Sequence, residues 1–159
     1  MGYDTFFKGA FFFNKEVAPE LVKYINLFSQ TRRMKRDNKK IMDVCHNWRM
    51  YSFNGELGQE GEYFVGGTGV YGQDADDSVV NYNTPPITQP SLWCHWIIKG
   101  NKLVWNGAEK FYNYIEWLQY LIDNFFIPSG YILNGQVEWQ GEDEDDFGII
   151  SVEDNEVTI

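Results

Sequence analysis

Short apolar runs bounded by turn residues predict strands near both ends of the chain. Thr5–Phe13 is short and aromatic and is followed by Asn14, which predicts a first strand. Leu92–Lys99 and Lys102–Trp105 flank Gly100-Asn101, a dipeptide that favours the positive φ angles of a tight hairpin. The remaining predicted strands are Arg49–Asn54, Glu62–Val65, Tyr131–Gln140, Ile149–Val152 and Val157–Ile159, the last two joined at Asp154-Asn155.

Apolar residues at helical spacing predict two main helices. The first begins at Pro19, which lacks the N–H that a first helical turn leaves unpaired, and ends near Gln30. A weaker helix is predicted over Lys39–His46. The longest is predicted over Ala108–Phe126, because apolar residues recur along one side of it.

This order of elements favours an α+β fold, with a mostly antiparallel sheet and two main helices on one face in two layers. The chain of 159 residues contains no repeat and no linker-like segment. We therefore expect a single globular domain over residues 1–159.

The stretch from Gly66 to Trp96 is rich in glycine and proline and shows little regular pattern in its first two-thirds. Loops of this length within a compact domain commonly carry function. Its glycines allow close backbone approach, and its tyrosines and tryptophans offer flat faces for stacking. We therefore expect this loop to contribute to a binding surface, although for Trp93 and Trp96 a place in the core is the better interpretation.

The net charge of −10 and the isoelectric point near 4.5 argue against direct binding of nucleic acid by the whole surface. Seven of the thirteen basic residues nevertheless lie between Arg32 and Arg49, and five consecutive acids occupy Glu142–Asp146. The basic group is either a solvated surface that pairs with neighbouring acids or a site for an anion or an acidic partner. Both interpretations stay open at this point.

No catalytic or metal-binding pattern emerges from the sequence. Cys45-His46 and Cys94-His95 supply zinc-type ligands, but their spacing is poor for one ion, and we predict neither a metal nor a cofactor. The carboxylates of Asp74, Asp76 and Asp77 lack the rest of a calcium-loop pattern, although a metal-dependent hydrolase could be built on them. We lean against an enzyme.

No apolar run approaches the length needed to span a bilayer, and the first residues do not resemble a secretion signal, so we expect no membrane association and an intracellular location. Each candidate binding residue offers one of five features: a positive charge, a conformationally free backbone, a stacking surface, an orienting polar group or an exposed carboxylate. The candidates are Arg32, Arg33, Arg36, Gly66, Gly67, Tyr71, Gln73, Asp74, Tyr82, Trp93, Glu142, Asp143 and Asp145.

Several segments have a distinctive amino-acid sequence, among them TRRMKRD (31–37), GEYFVGGTGVYGQD (61–74) and QPSLWCHW (89–96). With these, the chain resembles a group of small hypothetical proteins from tailed bacteriophages and prophages. The resemblance covers most of the chain. It implies a setting in the cytoplasm of a bacterial host and carries no catalytic residues with it.

Together these features favour a non-enzymatic phage or prophage accessory protein that binds and inhibits a host protein, such as a CRISPR or other defence component. The Gly66–Pro90 loop and the Glu142–Asp146 run are its candidate contacts. One alternative is a protein that sequesters a nucleotide or cyclic-nucleotide signal. A second is the hydrolase that uses loop carboxylates with a divalent ion.

Overall fold

The computed structural model describes residues 2–66 and 75–159. The α-helices are α1 (Pro19–Gln30), α2 (Asn38–Val44) and α3 (Tyr114–Leu121), and α3 continues into a π-helical turn at Ile122–Phe126. The strands are β1 (Thr5–Phe13), β2 (Lys35–Arg36), β3 (Val79–Asn81), β4 (Trp96–Lys99), β5 (Lys102–Trp105), β6 (Leu133–Gly141), β7 (Phe147–Glu153) and β8 (Glu156–Thr158). The predicted α+β class is confirmed.

Six strands form one antiparallel sheet in the order β4-β5-β1-β6-β7-β8, and β2 and β3 form a separate two-stranded ladder. β1 and β6 pair along all nine residues of β1, from Thr5 opposite Gly141 to Phe13 opposite Leu133. The hairpin between β7 and β8 turns at Asp154-Asn155, where both residues have positive φ. That geometry suits the twist of two antiparallel strands and confirms the predicted turn.

One face of the six-stranded sheet carries the aromatic core. Phe11 and Trp96 are fully buried and meet at 5.7 Å between ring centroids. The indole N–H of Trp96 donates to the carbonyl oxygen of Tyr114 at 3.0 Å, which ties α3 to this face. Phe13 packs edge-on against Phe126 at 5.0 Å. The aromatic core that this sheet covers therefore sits between the sheet and the α3 segment.

The chain folds as two compact units. The sheet unit comprises Met1–Val22 and His95–Ile159, and the middle unit comprises Lys23–Cys94. The expectation of a single domain over residues 1–159 stays a prediction.

Three predicted elements were wrong. Helix α3 begins at Tyr114 instead of Ala108, because Lys110 and Asn113 both adopt left-handed backbone angles that interrupt a helix. In place of the strand expected at Arg49–Asn54, a 3₁₀ helix occupies Trp48–Tyr51.

Glu62–Val65 is not a strand either. It follows a 3₁₀ turn at Gln59–Gly61, and the buried carboxylate of Glu62 accepts the backbone N–H of Gln59 at 2.8 Å. The same carboxylate accepts the Thr88 hydroxyl at 2.9 Å. Here side-chain hydrogen bonds replace the strand ladder that local composition favours.

Candidate functional site

The segment Thr31–Asp37 and the stretch 78–92 lie side by side in the middle unit. Alternate backbone N–H groups of the first donate to carbonyl oxygens of the second, and the short β2–β3 ladder is part of this pairing. The pairs, each 2.8 Å between nitrogen and oxygen, are Arg33–Leu92, Lys35–Thr84 and Asp37–Ser78. The structure thus brings together the basic segment and the loop that the sequence singled out.

Arg33 turns its charge into the protein. Its side chain is buried, Nη2 donates to the carbonyl oxygen of Glu62 at 2.7 Å, and Nε donates to Oε1 of Gln89 at 3.4 Å. The guanidinium also lies 4.1 Å from the ring centroid of Phe28. These contacts hold the loop against α1, so the guanidinium of Arg33 is engaged by the chain itself.

Arg36 is also buried. Its Nη1 donates to Oδ2 of Asp76 at 3.0 Å and to the hydroxyl of Ser78 at 2.7 Å, and the guanidinium stacks over Phe64 at 4.6 Å. Gly61 permits this approach: its φ is +73°, and a Cβ there would lie 2.9 Å from Cβ of Arg36. The buried guanidinium of Arg36 therefore holds the loop segment of Asp76 and Ser78 in place through hydrogen bonds.

Asp76 receives this bond together with the N–H and hydroxyl of Ser78. Partial burial acts to raise the pKa of Asp76, but the hydrogen bonds from Ser78 and the charge of Arg36 outweigh it and hold the pKa below its ordinary value. The carboxylate is therefore kept ionised by structural partners.

The two described ends of the glycine-rich segment are both attached to Thr31–Asp37. At one end the N–H of Gly66 donates to Oγ1 of Thr31 at 2.9 Å, and at the other Asp76 pairs with Arg36. Gly66 is itself buried. The candidate residues Gly67, Tyr71, Gln73 and Asp74 lie outside the described residues.

Arg32 is the most accessible of the three candidate arginines. Its guanidinium stacks on the ring of Tyr82 at 4.0 Å, with Nε donating to the Tyr82 carbonyl oxygen at 3.1 Å and Nη2 to Oδ1 of Asn83 at 3.2 Å. Tyr82 is exposed, and Trp93 is half-buried. Arg32 and Tyr82 form a small exposed shelf, and the ligand role of these candidates stays a prediction.

The acidic run forms the turn between β6 and β7 in the sheet unit. Glu142 accepts the N–H of Asp4 at 2.8 Å, and the Tyr3 hydroxyl donates to Oδ2 of Asp146 at 2.5 Å. That bond to a carboxylate raises the pKa of Tyr3. Asp143 and Asp145 are exposed. The turn is therefore held in one conformation with part of its charge directed to solvent.

The excess negative charge belongs to one unit. The sheet unit contains five basic and fifteen acidic residues, whereas the middle unit contains eight of each. The whole net charge of −10 thus lies on the sheet unit. A charge of this size concentrated on one unit attracts cationic partners over about 10 Å at 0.1 M salt.

The sequence reasoning missed an apolar surface on the second face of the sheet. Phe6 and Phe12 of β1, Phe147 and Ile149 of β7, and Ile159 are between 45% and 82% exposed. All of these except Phe12, together with the strand positions between them, line a concave surface of about 720 Å³. We call this surface, formed by the outward side chains of β1, β6 and β7 with Ile159, the open face.

A signal for the open face was present in β1. A strand with one solvated face alternates apolar and polar residues, but TFFKGAFFF has phenylalanine at both odd-numbered and even-numbered positions, and therefore on both faces of the strand. Phe7, Phe11 and Phe13 serve the core, which leaves Phe6 and Phe12 on the other side. Reading the run simply as aromatic concealed that second row.

The described residues contain no group of three or more side chains suited to hold a metal ion, and no described helix is long and apolar enough to cross a membrane. Cys94 is buried and Cys45 half-buried, and neither forms a disulfide. None of the protein-family models, curated proteins or solved structures compared with this chain matches it. The resemblance to phage and prophage proteins therefore stays a prediction.

Proposed function

We propose that this is a non-enzymatic phage or prophage accessory protein that binds a host protein in the host cytoplasm and inhibits it. The observation that carries the proposal is the coincidence, on the sheet unit, of the whole net charge with an exposed aromatic surface. Aromatic side chains at the centre with charged groups at the rim are the chemistry of a protein contact.

The charge favours a partner with a basic surface. Host proteins that act on nucleic acid, including CRISPR effectors and other defence nucleases, present such surfaces to the phosphate backbone. An acidic protein bound there would exclude the nucleic acid. The exposed carboxylates of Asp143 and Asp145 lie in the turn directly before Phe147, so charge and apolar contact would act at one place.

The test is binding to purified CRISPR effectors and defence nucleases, measured by size-exclusion chromatography and by nucleic-acid cleavage. We expect a complex and reduced cleavage at about 50 mM salt, both weakened at about 500 mM because ions screen the attraction. The variant Asp143→Asn/Asp145→Asn should lower the association rate. Glu116→Gln/Asp123→Asn, which removes two exposed acids of the α3 segment, is its matched control. Absence of a complex with every protein at low salt would contradict the proposal.

A nucleotide-sequestering protein is the second candidate, and the exposed shelf of Arg32 and Tyr82 favours it. Its support is narrower, because the guanidinium groups of Arg33 and Arg36 already bond to the chain. Thermal shift with nucleotides and cyclic dinucleotides tests it, since a ligand at 100 times its Kd stabilises a protein by about 2.7 kcal/mol. No shift with any ligand would count against this candidate. The hydrolase alternative has less support, because the carboxylate of Asp76 already bonds to Arg36 and Ser78.

A further inference from the structure

The open face has one row of outward side chains on β1 and another on β7, both partly apolar, with a polar row on β6 between them. Strand register places Phe6, Gln140 and Phe147 on one rung, and Lys8, Glu138 and Ile149 on the next. Further along β1, Phe12 lies opposite Asn134 of β6. The β1 row thus has phenylalanine at its two ends with Lys8 and Ala10 between them, the β7 row begins with Phe147 and Ile149, and the polar side chains of β6 form the floor.

The spacing of these rows matches an α-helix. Phe6 and Phe12 are six residues apart in one strand, so they span about 20 Å, the length of about 13 helical residues. Phe6 and Phe147 are two strand spacings apart, or about 10 Å, close to the 10–12 Å diameter of a helix with its side chains. A helix seated along β6 would contact Phe6, Phe147 and Ile149 at one end of the face and Phe12 at the other.

Lys8 lies opposite Glu138 on the face, and the acidic turn beside it adds the excess negative charge that favours a basic occupant. Glu138 stands at the centre of the floor, and neither Glu138 nor Lys8 forms an ion pair within 4 Å among the described residues. The acidic turn Glu142–Asp146 closes one end of the face. A second copy of the chain would bring two units with fifteen acids and five bases each together, and like charges oppose that contact.

We propose that the open face binds a basic amphipathic α-helix of the partner protein, with apolar residues against the two rows and lysine or arginine directed to Glu138 and the acidic turn. This inference rests on the proposed function and specifies the part of the partner that is bound. It follows the general mode in which an amphipathic helix occupies an apolar groove through residues at i, i+3, i+4 and i+7.

The probe is a fluorescein-labelled peptide of about 14 residues, made of leucine and lysine with the leucines on one helical face. Two control peptides carry glutamate in place of lysine, or the same composition with leucine and lysine in strict alternation. Fluorescence anisotropy measures their binding to the full chain at about 50 mM salt. We expect the amphipathic lysine peptide to bind and both controls to bind at least tenfold more weakly.

The decisive variant is Phe6→Ser/Phe147→Ser, which removes one ring from each row and keeps every carboxylate. We expect at least tenfold weaker binding, as for residues at the centre of an interface. The matched control is Met50→Ser/Ile127→Ser, because both side chains are exposed and apolar and neither lies on the open face. It should bind within about twofold of the unmodified protein. Glu138→Gln should weaken binding severalfold and reduce the salt dependence.

Equal binding by Phe6→Ser/Phe147→Ser, equal binding of the glutamate peptide, or no binding of the lysine peptide would each overturn the inference. If the double variant does not fold, NMR shift changes in the unmodified protein decide: they must fall on β1, β6 and β7, and changes confined elsewhere refute it. A host complex that survives the double variant overturns this inference and leaves the proposed function standing. If the peptide binds but no host complex forms, this inference stands and the proposed function is contradicted.

Discussion

Replacing Asp76 by asparagine should destabilise the protein more than replacing Arg36 by methionine, although Asp76 is the more exposed partner. The side chain of Arg36 is 2% exposed, whereas that of Asp76 is 47% exposed. Neutralising Asp76 leaves a buried guanidinium without its counter-charge. Removing Arg36 leaves a half-exposed carboxylate that water can solvate.

The magnitudes follow from the contacts. Removing one partner of a fully buried pair costs about 3–5 kcal/mol, and the exposure of Asp76 lowers this to about 2 kcal/mol for Asp76→Asn. Arg36→Met loses the bonds of Nη1 but also removes Nη2, which has no hydrogen-bond partner among the described residues, so its cost is about 1 kcal/mol. The double variant should cost about as much as Arg36→Met alone.

Urea unfolding followed by far-UV circular dichroism measures the free energies of unfolding of all four proteins. The pKa of Asp76 is lower in the folded protein than in the unfolded chain, so its contribution is complete above about pH 4 and is lost as the pH falls through the folded-state value. The difference between the unmodified protein and Asp76→Asn should shrink accordingly. Additive single effects, or a cost for Asp76→Asn below that of Arg36→Met, would refute this reasoning.

Two further predictions concern the sheet unit. Gly148→Ala should cost about 1–3 kcal/mol of stability, because a Cβ there would lie 2.7 Å from the Trp139 ring. Trp139→Phe/Gly148→Ala should recover part of the lost melting temperature. Equal melting temperatures of Gly148→Ala and the unmodified protein would contradict this. Burial lowers the pKa of His95, so the unfolded chain binds its proton more readily and stability is lost as the pH falls below about 6.5. The stability advantage over His95→Gln should therefore decline from about pH 7.5 to about pH 5.5 in urea unfolding, and a constant difference would show that the ring titrates normally.

The sequence was most informative where local rules and tertiary pairing agree. The first strand and the first helix have the predicted bounds, because the aromatic run ends at Asn14 and the helix begins at Pro19. The predicted Gly100-Asn101 hairpin also forms. In each case the turn or capping residue fixes the boundary within a few positions of chain.

Prediction failed where a side chain from a distant segment decides the backbone. Glu62 stands in an apolar run, but its carboxylate closes a turn and bonds to Thr88, 26 residues further on. The roles of Arg33 and Arg36 were hidden for the same reason. Guanidinium groups are normally exposed, and only the folded loop supplies the acceptors that allow their burial.

The two parts of the candidate surface also differ in how far the sequence predicts them. The acidic turn could be found as a run of consecutive residues, and it is exposed in part as expected. The open face could be foreseen only as a second aromatic row on β1, because its extent depends on which neighbours β1 acquires, and β6 and β7 lie near the opposite end of the chain. Strand order, which a single sequence specifies weakly, therefore determined whether Phe6 and Phe147 were isolated residues or one surface.

The open face also bears on colloidal behaviour. Exposed aromatic rows favour self-association, and mutual repulsion between sheet units with net charge −10 opposes it at neutral pH. Near the isoelectric point of about 4.5 the net charge of the whole chain approaches zero and that repulsion weakens, and about 1 M salt shortens its range to about 3 Å. Acidification and concentrated salt should thus promote clustering of the protein with itself, while the same salt dissociates it from a cationic partner.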